Sequence, residues 1–249
     1  MISEAKLSAF GCPLPPTAIL RWSDAQDWDQ PALADEEVFC RKAVLKRQRE
    51  FRAGRNTARK CFQELAIAQS MPISPTLNWS IGVGQSREPI WPKLFTGSIS
   101  HTQFQCDSAQ TNQEHCAVVV APLAHVVSIG IDIERVEHLS QDSLDLIVTP
   151  SEWRRSREYC WPTYWPKFLF AAKESFYKCL FPMTGAYIDF LEADFHLSAV
   201  AQYPGLYQVD VIAIQSTEFK LPIEQLLGLK GYVCCDDALI KAAFWIEQS

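Results

Sequence analysis

No stretch of this 249-residue chain approaches the ~18 consecutive apolar residues that a membrane-spanning helix requires. The N-terminal MISEAKLSAF has no basic segment followed by an apolar one, so no secretory signal is expected. No cysteine pair has C-x-x-C spacing, and the nine cysteines fall at irregular intervals. That excludes a zinc ribbon or finger and a disulfide-framed secreted domain, and points to reduced, mostly buried thiols in a cytoplasmic protein. Positive charge is not in excess either: 23 Lys and Arg face 29 Asp and Glu, a net of −6, which argues against nucleic-acid binding. The phosphate loops G-x-G-x-x-G and G-x-x-x-x-G-K-[ST] are missing, as is the G-x-S-x-G nucleophile elbow. Any phosphate this chain binds must be held by a metal, basic side chains and backbone amides.

What remains is an ordinary globular composition, 48% hydrophobic and 21% charged, with enough length to bury a core unaided. Residues 1–35 read as a strand and a loop. Helical periodicity runs from about Asp35 to Gln69, carried by Val38, Leu45, Phe51, Ala58, Phe62 and Leu65, with Asp35 or a neighbouring acid as cap and Met71-Pro72 as stop. Nine basic residues lie between Arg41 and Lys60 of this segment. Gly54 within it signals a break or a close backbone approach. Residues 72–97 are broken by Pro and Gly and predict loops and short strands. Strands follow at Gly97–His101, Ala117–Ala121 and Val126–Glu134, with a polar stretch from Thr102 to His115 between the first two. Helices are expected near 142–147, 151–159 and 163–181, then strands at Phe195–Leu197, Tyr207–Ile214, Tyr232–Cys235 and Leu239–Ile246. The class is α+β.

Chemistry concentrates in three places. In Ser128-Ile-Gly-Ile-Asp-Ile-Glu134, period-two geometry sends Ile129, Ile131 and Ile133 to one face and Gly130, Asp132 and Glu134 to the other. Two carboxylates on adjacent same-side positions suit a hard cation such as Mg²⁺; on spacing alone, a half-buried strand with a solvated polar face is the better fit. In Trp165–Phe181, apolar residues cover most of the helix, leaving Lys167, Glu174 and Lys178 as a narrow charged stripe. Glu174 and Lys178 stand four apart, as in a surface ion pair, yet their surroundings are those of a buried helix. Gly97-Ser-Ile-Ser-His101 puts a histidine at a strand end.

Taken in order, FRAGRNTAR (51–59), REPIWP (87–92), GSISH (97–101), GIDIE (130–134) and FAAKESFYK (170–178) resemble the surfactin-type 4′-phosphopantetheinyl transferases, with the closer likeness to the enterobactin synthase component D type. GIDIE followed about forty residues later by KESFYK is the specific part. The resemblance implies two similar α+β halves packed as a pseudo-dimer in one chain, residues 1–123 and 124–249, with the boundary near Pro122 to Val126 and coenzyme A in the cleft between them. It implies Mg²⁺ or Mn²⁺ on Asp132, Glu134 and Glu174, and Asp132 at the coenzyme's diphosphate. Glu174 is implied as base, Lys178 and Lys173 at the diphosphate, and Arg55, His101 and Ser100, with Arg47 and Arg87, at the nucleotide end. The implied reaction moves 4′-phosphopantetheine from coenzyme A to a serine of an apo acyl, peptidyl or aryl carrier protein of siderophore, polyketide or fatty-acid synthesis. It releases 3′,5′-ADP, and the enzyme is expected to be monomeric, without nucleic-acid or membrane partners. The same carboxylates and basic residues would serve a metal-dependent phosphohydrolase acting on a nucleotide-like substrate, and a module that binds coenzyme A without chemistry is a third reading. Phe170 stands where this family often has Trp, Lys93 where a small residue is common, and the stretch 104–116 is longer and more polar than usual.

Overall fold

A computed structural model describes residues 9–68, 79–105, 112–215, 226 and 229–248. The chain divides into two compact units, one of residues 15–127 with 248–249, the other of residues 1–14 with 128–247. Both mix helices with sheets, so the α+β class stands. No helix among the described residues is long and apolar enough to cross a membrane. None of the described cysteines is in a disulfide, and all but Cys160 and Cys235 are buried.

The first unit runs β1 (Ile19–Trp22), α1 (Ala25–Asp29), α2 (Ala34–Cys40), α3 (Leu45–Ala68), the two-residue strands β2 (Gly82–Val83) and β3 (Pro89–Ile90), β4 (Phe95–Gln105) and β5 (Asn112–Pro122). β1, β5 and β4 form an antiparallel sheet in that order. The apolar face of α3 packs on it through Ala53, Ala58, Cys61, Phe62 and Leu65, against Phe95, Val118 and Val120. Gly54 marks a close approach: a Cβ there would lie 2.8 Å from Cγ2 of Ile99 on β4.

One expectation fails in this unit. The single helix expected from Asp35 is two, interrupted at Arg41–Val44, where the Ala43 amide donates to Cys40 O and the Gln48 side chain donates to Ala43 O at 2.8 Å. Side-chain periodicity carries no record of such a turn when its residues are themselves helix-compatible. Asp35 does not cap α2. Glu36, one position further in, reaches back to accept from the Leu33 amide at 3.1 Å. In the polar stretch Thr102–His115, the β4–β5 ladder continues to the pairing of Gln105 with Asn112. Residues 106–111 of the long 104–116 stretch lie outside the described residues, as does the Met71-Pro72 stop.

The second unit begins with β6 (Val126–Arg135), continues through α4 (Gln141–Ile147), α5 (Pro150–Glu158) and α6 (Trp165–Thr184), and closes with β7 (Ala193–Ala199), β8 (Leu206–Ile214), β9 (Leu229–Cys235) and β10 (Leu239–Glu247). The strands form one sheet in the order β6-β10-β9-β8-β7. α6 packs on it, with Phe176 edge-on to Phe195 and Phe244 at ring separations of 5.2 and 5.5 Å. α5 starts at a capping box: Thr149 Oγ1 accepts from the Glu152 amide and Glu152 Oε2 from the Thr149 amide, with Pro150 in the first turn. α6 ends at Gly185 with φ of 61°, the left-handed cap that glycine takes without strain.

Candidate functional site

The three isoleucines of β6 are fully buried, and so is nearly all of the opposite face: Ser128 and Asp132 are 1% and 3% exposed. The solvated polar face is therefore not what forms. The reason is Gly130. Its missing Cβ lets the strand lie directly on α6; a Cβ would collide with the Ser175 carbonyl oxygen and stand 2.5 Å from the Cys179 amide nitrogen. Ser128 Oγ donates to Cys179 O at 2.5 Å and secures the same crossing. This contact brings the carboxylates of β6 to the charged stripe of α6.

There, Lys178 Nζ lies 2.6 Å from Asp132 Oδ1 and 3.3 Å from the Ile131 carbonyl. Lys167 Nζ lies 2.7 Å from Glu134 Oε2 and 3.6 Å from Glu137 Oε1. Burial pushes the Glu134 carboxyl up, and the Asp132 charge adds to this while Lys167 opposes it. Burial also raises Glu174, with Lys178 opposing and Asp132 reinforcing. Burial weighs most on Lys178 too, and alone would lower it, but the charges of Asp132, Glu174 and Glu134 together hold it above its ordinary value. So the Lys178 ammonium stands among three carboxylates, of which Asp132 repels the other two.

Among the described residues no three His, Cys, Asp or Glu side chains stand as a ready cation-binding group; the two lysines engage Asp132 and Glu134 instead. The donor chemistry nonetheless suits a hard divalent ion, being all carboxylate oxygen, partly desolvated and carrying repulsion that a cation would offset. Lys167 belongs to this group by geometry. The stripe on the helical wheel was its signal, but nothing in the spacing showed that it would meet Glu134.

Lys173 is not brought here. Its ammonium is 2% exposed and donates to Glu152 Oε2 at 2.9 Å and to the carbonyls of Ile147 and Phe190 at 2.8 Å each. An ammonium has three protons, so none is left for a phosphate. Glu152 in turn accepts from the Phe195 amide. The pair ties α5 to α6 and β7.

The residues expected at the nucleotide end lie in the first unit. Arg47 Nη1 is 3.0 Å from His101 Nε2 and 3.2 Å from Glu50 Oε2, so Glu50 orients both. Ser100, one residue before His101 on β4, is buried. Arg55 is 6% exposed, stacks over Phe51 at 4.5 Å, and donates from Nη2 to Gly82 O at 3.3 Å. Burial lowers it to about 10, with Arg59 and Arg47 adding repulsion that Glu36 opposes. An anion would relieve that burial of charge. Arg87 is exposed on the tight turn between β2 and β3 with φ of 68°. Most other basic residues of α3 already have carboxylate partners: Arg49 with Glu114, Arg52 with Glu37, Arg59 with Glu36, and Lys60 with Asp24 and Asp27. Phe170 takes the Lys167 cation over its ring at 5.0 Å.

Comparison with known families decides the class. Residues 35–109 match the 4′-phosphopantetheinyl transferase N-terminal domain, and residues 128–234 match the 4′-phosphopantetheinyl transferase superfamily. The chain belongs to this family. Over 167 residues it is 33% identical to 4′-phosphopantetheinyl transferase Npt of Nocardia iowensis, covering 66% of each chain. Over 163 residues it is 32% identical to the transferase PptT of Mycobacterium tuberculosis, covering 65% of this chain and 63% of that one. The chain thus spans just short of two thirds of these relatives. Enterobactin synthase component D of Salmonella typhimurium matches at 30% over 143 residues, 55% of this chain and 50% of that one. The closer likeness expected to component D is not supported, because the Nocardia and Mycobacterium transferases match over longer stretches at higher identity.

Proposed function

We propose that this chain transfers 4′-phosphopantetheine from coenzyme A to a serine of an apo carrier protein, releasing 3′,5′-ADP. The observation that carries this reading is the placement of Lys178 among Asp132, Glu134 and Glu174, all within the segment that matches the 4′-phosphopantetheinyl transferase superfamily. Asp132, Glu134 and Glu174 would hold Mg²⁺ or Mn²⁺, which when bound supplies positive charge to the diphosphate. Lys178 contributes donors to the same charge. Glu174, raised by burial and half-buried beside Lys178, accepts the serine hydroxyl proton. The serine oxygen then bonds to the phosphorus of the pantetheine phosphate, and the bond from that phosphorus to the bridging oxygen breaks, sending the electron pair out with 3′,5′-ADP. Arg47, Arg55 and His101, with Ser100 and Arg87 as lesser contributors, hold the nucleotide end through its 3′-phosphate. Lys173 has no donor for that work and is left out.

The acceptor is an acyl, peptidyl or aryl carrier. Siderophore assembly is one pathway, supported by the relatives named enterobactin synthase component D, with polyketide and fatty-acid synthesis equally open. We take the acting species as a monomer. The deciding experiment incubates the protein with coenzyme A and Mg²⁺, with and without apo carriers. Release of 3′,5′-ADP only when a carrier is present is the expected result; carrier-independent release would mean a phosphohydrolase, which the family does not favour.

A further inference from the structure

Lys167 stands where a helix gains least from a cation. It is the third residue of α6, in the first turn, where the macrodipole opposes positive charge. It is also 5% exposed, between Trp165-Pro166 and Phe168–Ala172. A leucine or methionine would meet both conditions without desolvating a charge. The ammonium is held instead by what lies around it. Nζ is 2.7 Å from Glu134 Oε2 and 3.6 Å from Glu137 Oε1, and the Phe170 ring covers it at 5.0 Å.

The two carboxylates differ in position. Glu134 lies on β6, on the same side of the strand as Asp132. Glu137 lies two residues beyond the end of β6 and is the more exposed of the two. Its Oε1 is the atom nearer Lys167, while its Oε2 is 3.6 Å from Arg135 Nη1. A buried ammonium stripped of its partner is strongly destabilising. If Glu134 turns to another cation, Lys167 must therefore keep a carboxylate, and Glu137 supplies one. Closing 3.6 Å to an ordinary ion-pair distance takes a shift of about 1 Å.

We propose that Lys167 is a positioning residue that competes with the divalent cation for Glu134 and passes to Glu137 when the cation binds, so that Lys167 and Glu137 together set the affinity of the metal site. The inference rests on the cation site proposed above, on Asp132, Glu134 and Glu174, and adds what tunes it. While paired with Glu134, Lys167 counters the Asp132 charge acting on that carboxyl. Once passed to Glu137, it stays paired and leaves both Glu134 oxygens to the cation. Lys178, beside Asp132 and less deeply buried, is the lysine left for the diphosphate. Lys167, under the Phe170 ring, is too enclosed to share that work.

The test titrates Mn²⁺ into the full chain, with and without coenzyme A, and follows the electron paramagnetic resonance signal of the free ion. Lys167→Met removes the competitor and is expected to tighten Mn²⁺ binding about tenfold. Glu137→Gln leaves the lysine only Glu134 and is expected to weaken binding about fivefold. In the protein carrying both changes, the Glu137 substitution should matter by less than about twofold, since no lysine remains to be received. Circular dichroism checks each fold, and Glu137→Gln, at a half-exposed position, carries the test if Lys167→Met does not fold. A lysine that only ties α6 to the end of β6 would give weaker, not tighter, binding in Lys167→Met. That result, or a Glu137→Gln protein that binds Mn²⁺ as the unaltered one does, overturns the exchange; loss of binding in Asp132→Ala would then still uphold the metal site. Mn²⁺ binding that is absent, or untouched by Asp132→Ala, overturns the metal site and the exchange together.

Discussion

Gly130 on β6 and Ser175 on α6 are in backbone contact, with no room for a Cβ between them. Everything at the candidate site depends on that spacing, because it sets how far Asp132 and Glu134 stand from Glu174 and Lys178. Gly130→Ala should therefore cost at least about 2 kcal/mol of stability, through forced separation of strand and helix. Thermal denaturation reads the loss. A variant that melts with the unaltered protein would show that the contact is not tight.

Lys178→Met removes the counter-charge shared by three carboxylates. Breaking a largely buried ion pair by deleting one partner costs about 3 kcal/mol. The melting temperature should fall in the presence of EDTA, and Mg²⁺ should restore more of it in the variant than in the unaltered protein. Equal response to Mg²⁺ would argue against a divalent site on Asp132, Glu134 and Glu174.

Glu152 and Lys173 make a buried pair with every polar atom engaged. Lys173→Met should destabilise by about 3–5 kcal/mol through the stranded carboxylate. Adding Glu152→Leu should recover part of the loss. If instead Lys173→Met keeps its stability and loses only affinity for coenzyme A, the residue contacts the diphosphate after all.

Glu37 holds α2 against α3, and Arg52 draws its carboxyl below the ordinary 4.5. A carboxylate lowered on folding adds stability that is present above pH 4.5 and lost as pH falls through the folded value. Glu37→Gln should therefore lower the melting temperature at pH 7, and the gap to the unaltered protein should narrow as the pH drops below 4.5. A gap that stays constant with pH would separate the shift from the Arg52 contact.

Much of this site was readable before folding was considered. Alternation put Asp132 and Glu134 on one face, the helical wheel set Lys167, Glu174 and Lys178 on one stripe, and a helix was expected near 151–159, where α5 forms. Interactions across elements were not readable. Spacing cannot show that Gly130 admits a helix, so the solvated strand face looked the better reading. Lys173 and Lys178 both sit in KESFYK, and only packing separates a lysine spent on Glu152 from one beside Asp132. The turn at Arg41–Val44 was hidden because its residues fit a helix well.

The central claim is tested most directly by intact-mass measurement of an apo carrier after incubation with this protein, coenzyme A and Mg²⁺. A gain of one phosphopantetheine on a single serine is predicted, absent with Asp132→Ala although that protein remains folded. An unmodified carrier across acyl, peptidyl and aryl types, or full modification by folded Asp132→Ala, would contradict the account.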